Sequence, residues 1–186
     1  MKNRTFVICI LVILTLFSIL MFFSCNRESP SDSVPSAEKV SASMSRPFDA
    51  EATITMKDLV LTADINRTEP GQATIRITEP KNLSGMNFSY DGDDITVSYM
   101  GFSVQLDGNS KLVSNVASLI VSALDKAASP SGVDVSMEED ALLVSGESDS
   151  GKFSIRLDKE NGSIISVQVP EVDFECRFDD FLFREV

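Results

Sequence analysis

The side chains in this sequence best suited to chemistry are three carboxylate clusters and a cysteine. The clusters are Asp91-Asp93-Asp94, Glu138-Glu139-Asp140 and Asp179-Asp180, and the cysteine is Cys176. Clustered carboxylates suit calcium, and a pair suits glycosidic acid–base work. The plainer reading of each cluster is a solvated turn or strand end. Around Asp91 the rest of a twelve-residue calcium loop is absent, whereas Asp179-Asp180 stands between Phe178 and Phe181 and is the most site-like of the three. Cys176 falls in phase with Val172, Phe174 and Phe178, so a strand would put all four on one face, and a small buried thiol is expected. The chain has no His. That removes the commonest general base, the Ser-His triad and the usual zinc sites. Neither a dinucleotide fingerprint nor a phosphate loop occurs. The expectation is a protein that is not an enzyme, with no cofactor and no metal; an enzyme working through carboxylates is the weakest reading.

The elements that must carry these residues are mostly strands. Ala50, Ala52, Ile54 and Met56 alternate, as do Leu59, Leu61, Ala63 and Ile65, and Glu69-Pro70-Gly71 ends the run. Ile75 and Ile77, then Met86, Phe88 and Tyr90, then Ile95, Val97 and Tyr99, then Phe102, Val104 and Leu106 continue it, with Asp91-Gly92 and Asp107-Gly108 as turns. Gaps this short leave no room for helical crossovers, so pairing is antiparallel. The period changes at Leu112, Val113, Val116, Leu119, Ile120, Ala123 and Leu124, the stripe of an amphipathic helix over 110–128, stopped by Ser129-Pro130-Ser131-Gly132. Alternation then resumes from Val133 to Phe183 through the Asn161-Gly162 turn. Ten or eleven strands and one helix define an α+β, mainly β chain. The expected architecture is a large curved antiparallel sheet, a half-barrel, with one amphipathic helix packed on its concave face.

The N-terminus has a different character. Lys2 and Arg4 precede an uncharged run from Phe6 to Phe23, followed by Ser24-Cys25 and the polar Asn26-Arg27-Glu28. This is the layout of an export signal. With a small residue before the boundary cysteine, it resembles a bacterial lipoprotein signal, although Phe22 stands where Leu is commoner. The resemblance implies cleavage after residue 24, diacylglycerol and palmitate-type acylation of Cys25, and a lipid anchor at the extracytoplasmic face of the cell membrane. At least two acyl chains make such anchoring stable. An uncleaved membrane anchor and plain secretion are the competing readings, since an apolar run of about 18 residues can span a bilayer. Residues 25–46, rich in Ser, Pro and acids, read as a disordered tether with an r.m.s. span of roughly 25 Å, and 47–186 as a single domain. Lys2 and Arg4 are the only charges of the signal, so 14 of the 16 basic residues and all 28 acidic residues lie beyond it, a formal charge of −14. That balance argues against nucleic acid, which requires clustered Lys and Arg.

The strand–helix–strand order over Phe48 to Val186 resembles the LolA/LolB lipoprotein-carrier superfamily and the related LppX-type lipid-binding lipoproteins. The stretch Ile77 to Asp93 also resembles uncharacterised lipoproteins of clostridia-like bacteria. Those carriers have more helix in the cavity than this sequence provides. The likeness implies an apolar cavity between sheet and helix, holding a lipid, another apolar ligand or an acylated protein. Its candidate lining is Leu112, Val116, Leu119, Ile120 and Ala123 from the helix and Phe88, Val97, Phe102 and Val104 from the strands. The alternative is a cell-envelope module with a filled core that binds a protein partner through its surface.

Overall fold

The computed structural model describes residues 34–185 except Asp93 and 108–115. The expected signal (1–24), Cys25, the first part of the expected tether, Leu112 and the expected start of the helix lie outside the described residues. Eleven strands form one open antiparallel sheet: β1 (Phe48–Met56), β2 (Leu59–Glu69), β3 (Gln72–Glu79), β4 (Asn87–Asp91), β5 (Asp94–Tyr99), β6 (Phe102–Asp107), β7 (Val133–Met137), β8 (Ala141–Ser148), β9 (Gly151–Asp158), β10 (Ile164–Val169) and β11 (Phe174–Phe183). Their order across the sheet is β6-β5-β4-β3-β2-β1-β11-β10-β9-β8-β7. Two meanders therefore run outward from a central seam where the first and last strands pair.

Alternation decides which face is buried. Phe48, Ala50, Ala52 and Ile54 of β1 share the core face with Leu61, Ala63 and Ile65 of β2 and with Phe174, Cys176 and Phe178 of β11. Cys176 sits opposite Ile54 and Val167 with no exposure. Burial, reinforced by the negative charges of Asp179 and Glu175, pushes its thiol well above the ordinary cysteine range.

Helix α2 (Val116–Ala127) packs on this face against β8, β9 and β10, burying Ala117, Leu119, Ile120, Val121, Ala123, Leu124 and Ala127. A second helix, α1 (Ala37–Met44), occupies residues read from sequence as disordered tether. Eight residues are too few to hold a helix in isolation. Val40 and Met44, four apart and so on one face, are both buried, and α1 packs on α2 and β7. The Ser41 hydroxyl donates to the Ala128 carbonyl at the end of α2. Tertiary packing supplies what local propensity does not.

One buried charge joins these parts. Arg67, at the end of β2, has no solvent exposure. Its guanidinium donates to the Met44 carbonyl of α1 and, at 2.7 Å, to Asp125 Oδ1 of α2. Arg184 Nη2, just beyond β11, donates to the Arg67 carbonyl at 2.7 Å. The other end of α2, at Val116 and Ala117, meets Leu61 around a shared hollow. The ends of α2 thus meet β2 through the Arg67 side chain and the hollow at Leu61, while its length packs on β8, β9 and β10.

Two outcomes test this packing. Asp125→Ala strands a buried guanidinium and is expected to cost about 3–5 kcal/mol in chemical unfolding, whereas the pair Arg67→Met with Asp125→Leu costs much less. Equal losses from the two would show that the ion pair does not organise the core. Cys176 is expected to resist alkylation in the folded chain and to react only at the rate of global opening. Its folded pKa is raised, so its contribution to stability is complete below about pH 8.5 and declines as pH rises further. Rapid native labelling, or no such decline relative to Cys176→Ala, would contradict its placement.

Candidate functional site

α2 packs on β8, β9 and β10, and its cover runs out across the first meander. A single cross-strand row makes this visible. Ile65, Ile75, Phe88, Val97 and Val104 are successive register partners from β2 to β6 and share the core face. Ile65 and Ile75 are fully buried, Phe88 and Val97 half-buried, and Val104 is 56% exposed. Phe102, paired with Tyr99 one step along the same face, is 79% exposed. The apolar face of the sheet thus continues beyond its helix as an uncovered trough.

A hollow of about 170 Å³ lies at the covered end of this trough. Leu59, Leu61, Ile75, Ile77 and Phe88 form its floor, Val116 and Ala117 one wall, and Leu83 and Met86 the other. The second wall belongs to the β3–β4 loop, which is internally bonded. Gly85 N–H donates to the Ile77 carbonyl at 2.9 Å, and Met86 N–H to the Leu83 carbonyl at 3.0 Å. Gly85 sits at φ 87°, in the left-handed region that glycine enters at little cost. The Tyr99 hydroxyl donates to the Asn82 carbonyl at 2.6 Å and ties the loop to β5. The lining is almost wholly apolar, so the space suits hydrocarbon and offers water few partners.

The sequence candidates are distributed unevenly around this geometry. Val116 and Phe88 line the hollow. Val97 packs beside the core as its neighbour, and Phe102 and Val104 form the open rim. Ile120 and Ala123 are fully buried beneath α2. Leu119 borders a different hollow of about 370 Å³, with Met56, Lys57, Asp149, Ser150 and Val172. Leu112 lies outside the described residues. Sequence reasoning missed Leu59, Leu61, Ile75, Ile77, Leu83, Met86 and Ala117 as lining. Leu83 carried a signal, an isolated large apolar residue in the polar turn Lys81-Asn82-Leu83-Ser84-Gly85.

The carboxylate clusters have structural occupations. Glu51 faces Asp180 while Ala52 faces Phe178, so Asp179 is the extra residue of a β-bulge. The bulge lets Phe178 and Phe181 both stack on Phe48, at 6.2 and 4.8 Å between ring centroids. Asp179 accepts from the Thr53 hydroxyl at 3.0 Å. Glu138 and Asp140 flank Arg156 at 3.7 and 3.1 Å in the β7–β8 turn. Asp91 and Asp94 close the β4–β5 turn, with Asp93 outside the described residues. Among the described residues no three His, Cys, Asp or Glu side chains gather to hold a metal ion. No helix among them is long and apolar enough to cross a membrane.

No protein-family model matches the chain, and no curated protein matches it in sequence. Solved structures do resemble it. An uncharacterized conserved protein from Thermus thermophilus superimposes with a TM-score of 0.51 at 11% identity, covering 80% of this chain and 85% of that one. A LolA superfamily protein from Nitrosomonas europaea gives 0.45 at 10% identity over 82% and 95% of the two chains. A chain in the structure of the CwlD amidase from Clostridioides difficile in complex with the GerS lipoprotein gives 0.48 at 17% identity over 74% and 86%. At such identities the first likeness is one of fold alone, and the two weaker superpositions carry no conclusion about this chain.

Proposed function

We propose that this chain is a non-catalytic, extracytoplasmic lipoprotein, anchored to the cell membrane through Cys25, that holds an apolar chain on the uncovered half of its sheet. The observation that carries the binding part is the apolar hollow among Leu61, Ile77, Leu83, Met86, Phe88 and Val116, opening onto the trough of Val97, Val104 and Phe102. An apolar cavity of about 150 Å³ binds benzene. A hollow of about 170 Å³ therefore takes the end of one acyl chain and not a whole lipid, and the rest of the chain lies along the trough. The occupant is a lipid or an acylated protein. The resemblance of the strand order to the LolA/LolB group supports the same reading. The competing function, a filled-core module that binds an envelope protein, draws on the close packing of Ile120, Ala123 and Leu124 beneath α2. That packing concerns the other half of the sheet and leaves the trough as it is.

Two experiments test the proposal. Cys25→Ser is expected to abolish incorporation of labelled palmitate and to prevent signal cleavage at residue 24; unchanged labelling would remove the anchor from the account. Met86→Trp fills the hollow with a larger side chain. Uptake of a fluorescent fatty acid should weaken at least about tenfold, the equivalent of roughly 1.4 kcal/mol, and undiminished uptake would place any ligand elsewhere.

A further inference from the structure

The two edges of the sheet are treated differently. β7 carries Asp134, runs into Glu138-Glu139-Asp140, and is packed against by α1. β6 reads Phe-Ser-Val-Gln-Leu-Asp, with no Lys, no Pro and no register shift against β5. Charges, Pro, bulges and covering elements are the usual means of protecting a free edge, and among the described residues β6 has a single terminal charge, Asp107. Met100, Phe102 and Val104, at 80%, 79% and 56% exposure, cluster on the same hairpin.

We propose that β6 pairs antiparallel with β6 of a second copy of this chain, centred on Val104 facing Val104. The register follows from the β5–β6 hairpin. Its two-residue turn, Met100-Gly101, makes Tyr99 and Phe102 a hydrogen-bonded pair. The pattern alternates, so Phe102, Val104 and Leu106 direct their backbone groups toward β5, and Ser103 and Gln105 direct theirs to the free edge. Two copies centred on Val104 bring Ser103 of each opposite Gln105 of the other, which satisfies those groups. The same register sets Phe102 opposite Leu106 on the apolar face, and no charged residue meets its like. Any register that opposes the Asp107 residues to each other loses this match.

The twofold axis stands perpendicular to the sheet, so both troughs open to the same side and join across the seam. Pairing removes from water only the area along the β6 edge, chiefly the facing flanks of Phe102, Val104 and Leu106, since the trough face stays open. That area is below a standard soluble interface, so the pair is weak in free solution. Confinement of both copies to one membrane, which rests on the anchoring proposed above, raises their effective concentration. The register itself does not depend on that reading.

Disulfide trapping in the full chain, in the membranes of its host under mild oxidation, tests the register. Residues facing each other at a non-hydrogen-bonded position lie about 4.5 Å apart between Cα atoms, within disulfide range. Val104→Cys should therefore give a covalent dimer, at least about ten times the yield of Ser103→Cys alone, whose Cα atoms stand roughly 8–9 Å apart. Val104 is exposed at an edge, so the fold tolerates the change. Ser103→Cys co-expressed with Gln105→Cys should restore cross-linking. No dimer above the parent chain overturns the pairing. So does equal yield from Val104→Cys and Ser103→Cys, or capture of a different protein by Val104→Cys. Unchanged palmitate labelling and membrane association in Cys25→Ser would count against the anchor alone.

Discussion

A guanidinium placed where water cannot reach it governs the arrangement on the core face. Burying an arginine costs several kcal/mol unless its donors are satisfied, and removing a partner is worse than never burying the charge. Arg67 Nη1 and Nη2 find their partners on two separate helices, the Met44 carbonyl ending α1 and the Asp125 carboxylate near the end of α2, while its buried Nε has none among the described residues. Its own carbonyl receives Arg184 from beyond the last strand. One β2 side chain thereby fixes where both helices sit. Arg46 stacking on Phe183 at 3.9 Å closes the same corner of the domain.

The trough is a consequence of that arrangement. With Asp125 paired to Arg67 and the helix packed along its length on β8, β9 and β10, the described part of α2 reaches the first meander at Val116 and Ala117, beside Leu61. The apolar row from Ile65 to Val104 is nonetheless continuous, because strand alternation builds the same face on every strand whether or not a helix covers it. The domain therefore combines a close-packed half with an open half. The two functional readings that the sequence left in competition, filled core and open cavity, describe different halves of one sheet.

The strands were legible because their period of two, their turn residues and their spacing agree. The centre of α2 was legible for the same reason, its apolar stripe being unambiguous over Val116 to Leu124. α1 was not, since Ala37 to Met44 holds only two large apolar residues among Ser, Ala and charges and becomes a helix by docking. Phe88 and Val116 could be assigned to a common space from the fold class. Leu83 and Met86 could not, because their positions depend on how the β3–β4 loop closes over Ile77. The role of Arg67 was equally hidden, since a basic residue near a strand end reads as solvated unless its partners, 58 residues away in the case of Asp125, are known. The Asp179 bulge shows the converse, a pair that looks chemical in sequence and serves to redirect two phenylalanines.

The account stands on the trough being an occupied surface of the working protein. The most direct measurement is native mass spectrometry of the full chain purified from its host without added fatty acid. The account predicts a non-covalent mass in the range of one acyl lipid, released on denaturation and absent from the denatured spectrum. A spectrum holding only the mass of the chain with its covalent modifications, unchanged after incubation with palmitic acid, would contradict it.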